Sequence, residues 1–158
     1  MRPDVRRGVA AVVRRDDGLV LAVRRPDEPG EELPGVWGLP ATTLRAGEPA
    51  EAALRRLGRE KLRVALSPLR VLAEGEQQRA GYALRMTLYE ASMAGEPRLP
   101  ARQAGQPAVP AGAPPVFDAS TQYDALDWLP DAAFADAAAR GSLCCRLLLT
   151  ADRKRING

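Results

Sequence analysis

Four charged residues in the stretch 35–64 have the types and spacing for phosphate chemistry: Glu48, Arg56, Glu60 and Lys61. Carboxylate oxygens are ligands that Mg²⁺ and Mn²⁺ prefer. Cationic side chains bind phosphate oxygens, and arginine does so through a fork of N–H donors. If the segment is helical, residues 57, 60 and 61 share one face. Residues of these types could therefore bind a divalent cation or an anion such as phosphate.

The same stretch resembles the Nudix motif, in which a glycine, a glutamate, an arginine and further glutamates follow a Trp-x-Leu-Pro-Gly lead-in. The matching residues all stand at the spacing of the motif: Trp37, Leu39, Pro40, Glu48, Arg56, Glu60 and Val64. Other positions depart from it: Thr42 and Arg63 replace glycines, Leu57 and Lys61 replace glutamates, and Gly58 replaces an aliphatic residue. On these residues the chain is identified as a divergent member of the Nudix superfamily.

The departures fall on the metal ligands that the resemblance implies. In the family, three glutamates on one helix face hold Mg²⁺ or Mn²⁺, which neutralises phosphate charge and orients the attacking water. In this chain the corresponding residues are Leu57, Glu60 and Lys61. One carboxylate remains of three, and the neighbouring ammonium group repels a cation.

One interpretation is a rearranged catalytic site. The resemblance then implies that Glu60 and Glu48 are catalytic and hold Mg²⁺ or Mn²⁺ together with the carbonyl oxygen of Ala41. Further oxygens would come from acids elsewhere in the chain: Glu51, Glu90, Asp124 and Asp127. Arg56, Lys61 and Arg85 are then the substrate-binding residues, with phosphate as their ligand.

The other interpretation assigns these residues no ligand. Glu60 then only pairs with Arg56, four residues earlier, on a solvated helix face. Lys61 is a surface lysine, and Arg85 is a solvent-facing residue of a strand.

The box helix is predicted from Pro49 to Leu62. Proline is tolerated in the first turn, and apolar residues recur at helical spacing after it: Ala50, Ala53, Leu54 and Leu57. This pattern makes Leu57 a core residue. Gly58 inside the helix predicts a close approach of another segment to its backbone.

Strands are predicted on both sides of this helix. Residues 8–14 and 19–25 indicate a hairpin around Asp16-Asp17-Gly18. Residues 69–73 and 82–92 indicate two antiparallel strands joined by a polar segment at 74–81. A last strand is predicted at 120–129, followed by two helices. Residues 94–118 are rich in proline and are predicted to form a long loop or insertion.

Composition narrows the function classes. The chain of 158 residues has no histidine, which excludes His-based triads and His metal sites. Aromatic residues make up 4% and no concentrated basic stripe is present, so nucleic-acid binding is not expected. No apolar run of membrane-spanning length occurs, so a transmembrane helix is not expected. Cys144 and Cys145 are adjacent, so a disulfide framework is not expected. These features predict a cytoplasmic protein.

Residues 1–158 are expected to form one domain of the α/β class, and the resemblance implies an α/β/α sandwich with a mixed β-sheet. It also implies a homodimer and a nucleotide-like small-molecule partner, without membrane association. The leading functional hypothesis is a hydrolase that splits the pyrophosphate of a nucleoside diphosphate linked to another moiety, with an altered metal site. The alternative is a non-catalytic Nudix-fold module that binds a nucleotide or a protein.

Overall fold

The computed structural model describes residues 4–26, 35–99 and 123–157. Most of the polar loop at 26–34 and of the predicted proline-rich loop at 94–118 lies outside these ranges. In chain order the elements are β1 (Asp4–Val12), β2 (Val20–Arg24), β3 (Trp37–Gly38), β4 (Ala41–Thr43), α1 (Ala50–Leu57), a π-helical segment (Gly58–Leu62), β5 (Ala65–Arg79), β6 (Tyr82–Ala94), β7 (Ala125–Leu129), a 3₁₀ turn (Asp131–Phe134), α2 (Ala135–Ala139) and α3 (Leu143–Asn157).

The described strands form two sheets. The larger is mixed, with the order β4-β1-β6-β5, and β1 and β6 run parallel in it. The smaller is antiparallel, with the order β3-β2-β7. Helix α1 packs on one face of the mixed sheet, while α2 and α3 pack on the other. The predicted α/β/α sandwich with a mixed sheet is therefore confirmed.

The alternation of side chains along β1 creates the two cores. Val9 and Ala11 point to the α1 side, whereas Ala10 and Val12 point to the α3 side, and all four are fully buried. On the α1 side, Leu57 is also fully buried, as the sequence predicts. Burial of a leucine side chain contributes roughly 1.5–3 kcal/mol, which fixes α1 against the sheet.

Helix α1 begins directly after Pro49, as predicted, but its last turn differs from a regular helix. Residues Gly58–Leu62 form a π-helical segment, and Arg63 after it has a left-handed backbone with φ of 58°. A Cβ atom on Gly58 would lie 2.7 Å from Leu66 Cγ and 2.9 Å from the carbonyl oxygen of Val64. The predicted close approach at Gly58 is thus confirmed, and the start of β5 is the segment that approaches.

The predicted limits of β5 are wrong. The strand runs through Arg79, and its polar residues pair with β6, for example Glu76 with Arg85. The turn between the two strands contains only Ala80 and Gly81. The polar residues remain in the strand because one face of this part of the sheet is solvated, so alternation replaces a continuous apolar pattern.

The predicted hairpin of β1 and β2 is only partly formed. The chain turns at Gly18, and Arg14 makes an isolated bridge with Val20, but the two strands then enter different sheets. Strand β1 takes β4 and β6 as neighbours instead. None of the helices in residues 4–26, 35–99 and 123–157 has the length and hydrophobicity that a membrane-spanning helix requires.

Candidate functional site

Arg56 and Glu48 form a bidentate ion pair in the candidate site. Arg56 Nε lies 3.0 Å from Glu48 Oε2, and Arg56 Nη2 lies 2.9 Å from Glu48 Oε1. The Arg56 side chain is only 3% exposed. Hydrogen bonding from Arg56 is the main cause that lowers the pKa of Glu48 to about 2. Glu48 is therefore held as a carboxylate whose two oxygens face a buried guanidinium group.

The remaining donors of Arg56 also face protein acceptors. Its Nη2 donates to the carbonyl of Thr43 at 2.8 Å, and its Nη1 lies 3.4 Å from Thr42 Oγ1 and 3.5 Å from Glu60 Oε2. With the two bonds to Glu48, these contacts match the donors of a guanidinium group. Arg56 thus joins the box helix to β4 and its loop. The substrate-binding role of Arg56 stays a prediction, since it would require an exchange of partners.

Lys61 lies inside the site and not on the surface. The residue is 7% exposed, and its Nζ donates to the carbonyl oxygen of Ala41 at 3.1 Å. The same ammonium lies 5.1 Å from the ring centroid of Tyr123. The interpretation of Lys61 as a surface lysine is therefore wrong.

Tyr123 completes the environment of Ala41. Its hydroxyl donates to the Ala41 carbonyl at 3.1 Å and accepts from the Ala41 amide at 3.0 Å. A carbonyl oxygen has two lone pairs, and Lys61 and Tyr123 together use both. The predicted role of this oxygen as a metal ligand therefore conflicts with its hydrogen bonds.

Glu60 is the more accessible of the two predicted catalytic acids, with 41% of its side chain exposed against 15% for Glu48. Its two oxygens lie 3.5 Å from Arg45 and 3.5 Å from Arg56. The predicted ion pair between Glu60 and Arg56 is therefore present. The Arg56 side chain is buried, however, and not on a solvated helix face.

The donor set does not fit a divalent cation at the place that the resemblance implies. Glu48 and Glu60 both face Arg56, and the Ala41 oxygen faces Lys61. Two other acids considered as ligands are also paired, Glu90 with Arg70 at 3.1 Å and Asp124 with Arg24 at 2.9 Å. Among the residues that the structure describes, no group of three or more Asp, Glu, Cys or His side chains could hold a metal ion. The assignment of Glu60, Glu48 and Ala41 as Mg²⁺ or Mn²⁺ ligands stays a prediction, and each of them would have to exchange its present partner to bind the ion.

Arg85 lies on the α1 face of the sheet, beside a cavity of about 650 Å³. Its Nε is 3.1 Å from Glu76 Oε2, and the side chain is 53% exposed. The solvent-facing interpretation of Arg85 agrees with this exposure. Glu48 and the first residue of α1 line the same cavity. The substrate-binding role of Arg85 stays a prediction.

Sequence reasoning missed two residues of this region. Arg7 stands directly opposite Arg85 on β1 and lines the same cavity; the two-residue period of β1 places it on the face of Val9 and could have revealed it. Tyr123 reaches Ala41 across 82 positions of sequence. No local pattern in the chain indicates that contact.

Comparisons with known proteins agree with this architecture. The NUDIX domain family matches residues 4–110. The MutT protein from Methanosarcina mazei Go1 has a similar structure, with a TM-score of 0.69, 14% identity and 98% coverage of each chain. A NUDIX hydrolase from Nitrosomonas europaea gives a TM-score of 0.65 at 17% identity, over 97% of this chain and 90% of that chain.

A MutT NUDIX hydrolase from Burkholderia pseudomallei is 26% identical, with a TM-score of 0.59 over 82% of this chain and 85% of that chain. No curated protein matches the sequence. The family match covers well over half of the chain and includes β1, the box helix and the hairpin of β5 and β6. The chain therefore belongs to the NUDIX family, as a member in which Lys61 and Leu57 stand where the motif has glutamates.

Proposed function

We propose that this protein binds a nucleotide-like small molecule through its phosphate groups at the Lys61 face of the box helix, without a divalent cation. The observation that carries the proposal is the Lys61 ammonium, which lies on the Ala41 carbonyl with only 7% of the residue exposed. A positive charge thus stands at the oxygen that the predicted metal would use. A fixed ammonium group neutralises phosphate charge as a point charge, as lysines of phosphate sites commonly do.

The chemistry of the neighbouring residues supports binding more than metal-assisted hydrolysis. Glu48 is held by Arg56 and carries a lowered pKa, so it is a weak base. Glu60 is the one predicted catalytic acid with substantial exposure, and both of its oxygens face arginines. The protein would then hold its ligand without a carboxylate cluster that activates water through a metal.

A second candidate function is the hydrolase of the leading sequence hypothesis, acting on a nucleoside diphosphate linked to another moiety. The observation that favours it is the relative from Burkholderia pseudomallei, a MutT NUDIX hydrolase that is 26% identical to this chain. In this candidate Glu60 leaves its arginine partners to act on water, and Lys61 holds the phosphate. A homodimer and a cytoplasmic location remain predictions for either candidate.

One experiment separates the two candidates. Purified protein is titrated with a panel of nucleoside diphosphate derivatives by calorimetry in EDTA. The same panel is assayed with Mg²⁺, with Mn²⁺ and in EDTA for the two phosphate monoesters that cleavage of the pyrophosphate produces. Binding in EDTA that Lys61→Met weakens at least about ten-fold, without product release, supports the binding protein. Product release that Glu60→Gln abolishes would overturn it in favour of the hydrolase.

Arg140→Gln is the matched control for charge. Arg140 is exposed and lies at the end of α2, on the other face of the sheet from the box helix. Absence of binding by any compound, in EDTA or with metal, would contradict both candidates.

A further inference from the structure

A second cavity lies beside the box helix and shares no lining residue with the Lys61 site. Its volume is about 600 Å³, and three arginines line it at intervals of four residues: Arg55, Arg59 and Arg63. These residues are called the arginine row below. The other lining residues are small, apolar or neutral: Val64, Ala65, Leu66, Ser67 and Ala94. Among the residues that the structure describes, no acidic side chain lines this cavity.

The positive charges of the arginine row are not neutralised by acidic side chains of the described residues. Among the described residues, none of the three arginines makes a side-chain hydrogen bond or ion pair, whereas most other arginines of the chain do. All three are exposed. Arg55 and Arg59 are about 6 Å apart along the helix axis. Arg63 follows the π-helical segment and lines the same cavity. Three like charges at this spacing repel one another, and an anion between them relieves the repulsion.

Arg63 adds an independent observation. Its φ of 58° and ψ of 37° place it in the left-handed region, and no other described residue except glycine has a positive φ. This conformation is unfavourable for a residue with a Cβ atom and is freely adopted by glycine. Glycine is the residue that the Nudix motif has at this position. This chain therefore has an arginine at a position whose backbone conformation favours glycine. Arg63 is the third member of the arginine row.

We propose that the arginine row binds a small polyanion with two or more linked phosphate groups. The cavity has the size of a small-molecule site, for which roughly 300–1,000 Å³ is typical. Guanidinium groups bind phosphate oxygens through paired N–H donors. The described part of the lining contains no aromatic side chain on which a nucleobase could stack, which favours a compact phosphate ligand over a nucleic-acid strand. This site is separate from the ligand site at Lys61.

The test is calorimetric titration with inorganic triphosphate in EDTA at physiological ionic strength. We expect the Kd of Arg55→Gln/Arg59→Gln to rise at least about ten-fold, because two charge-assisted contacts are lost. Arg140→Gln removes an arginine on the other face of the sheet and should stay within about two-fold of the unmodified protein. Lys61→Met is measured in parallel, because the Lys61 site is itself proposed to bind phosphate groups and this variant shows which of the two sites holds triphosphate.

Arg63→Gly provides a second and opposite readout. It should raise the Tm, since glycine removes the strain, while it weakens triphosphate binding. The proposal is overturned by an absence of binding to the unmodified protein or by an unchanged Kd in Arg55→Gln/Arg59→Gln. A loss of binding in Lys61→Met alone would place triphosphate at the Lys61 site, and tighter binding of a single-stranded oligonucleotide or an acidic peptide would point to a macromolecule; either result overturns it as well.

Discussion

The Nζ atom of Lys61 lies 3.1 Å from the carbonyl oxygen of Ala41, and the hydroxyl of Tyr123 donates to the same oxygen. A positively charged group of the chain therefore stands at the oxygen that the predicted metal would use. A lysine ammonium is not removed by a chelator, and it carries one positive charge where Mg²⁺ or Mn²⁺ carries two. The replacement of a glutamate by Lys61 thus changes the electrostatics of the site while the surrounding backbone keeps its fold.

Lys61→Glu should create affinity for Mn²⁺. The variant removes the ammonium group from the Ala41 oxygen and adds a carboxylate next to Glu60, and hard divalent cations prefer such oxygens. We expect the Mn²⁺ affinity, measured by electron paramagnetic resonance of free Mn²⁺, to rise at least about ten-fold. Lys61→Met removes the charge without adding a ligand, and equal affinities of the two variants would show that the carboxylate contributes nothing.

Glu48→Gln should destabilise the fold strongly. Arg56 is buried and makes its two shortest carboxylate contacts with Glu48, whereas Glu60 lies 3.5 Å away, so the variant leaves a buried cation with poor compensation. Removal of one partner of a buried pair costs about 3 kcal/mol, measurable as the free energy of unfolding in urea. Glu76→Gln is the control, because the Glu76–Arg85 pair is exposed and such pairs contribute about 0–1 kcal/mol. Equal losses in the two variants would contradict the role of the buried pair.

The stabilisation by Glu48 should disappear in acid. Its pKa is about 2 in the folded protein and about 4.5 as an ordinary glutamate, because Arg56 favours the carboxylate form. A lowered folded-state pKa contributes stability above the unfolded value and loses it as the pH falls toward the folded value. The difference in unfolding free energy between the unmodified protein and Glu48→Gln should therefore be constant from neutral pH to about 4.5 and shrink between 4.5 and about 2. A difference that stays constant across that acid range would refute the pairing.

Gly58→Ala should destabilise the protein although alanine is the better helix former. The added methyl group would lie 2.9 Å from the Val64 carbonyl oxygen and 2.7 Å from Leu66 Cγ, so the helix must move away from β5. Overpacking of this kind costs about 1–3 kcal/mol, measured by urea unfolding. Gly38→Ala is the matched control, since the nearest side-chain atom there is 3.9 Å away. A more stable Gly58→Ala protein would mean that propensity outweighs the contact.

The sequence alone determined the family, the layers of the fold and the box helix. The spacing between residues made these predictions possible. Trp37, Glu48 and Arg56 keep the spacing of the motif, and the helical period of the apolar residues predicted that Leu57 is buried. Period-2 alternation likewise predicted a strand at residues 82–92, which lies within β6. Such patterns are local, because a helix or strand repeats its geometry every few residues.

Only the tertiary structure decided what Lys61 does. The lysine, the Ala41 carbonyl and Tyr123 come from three separate segments, and no local period links them. The same holds for β5, whose polar half is a strand because β6 pairs with it along most of its length. A buried ion pair or a buried lysine depends on which groups the fold brings within about 3 Å. The spacing of residues in the sequence specifies the helices and strands, and the packing of these elements decides which side chains contact one another.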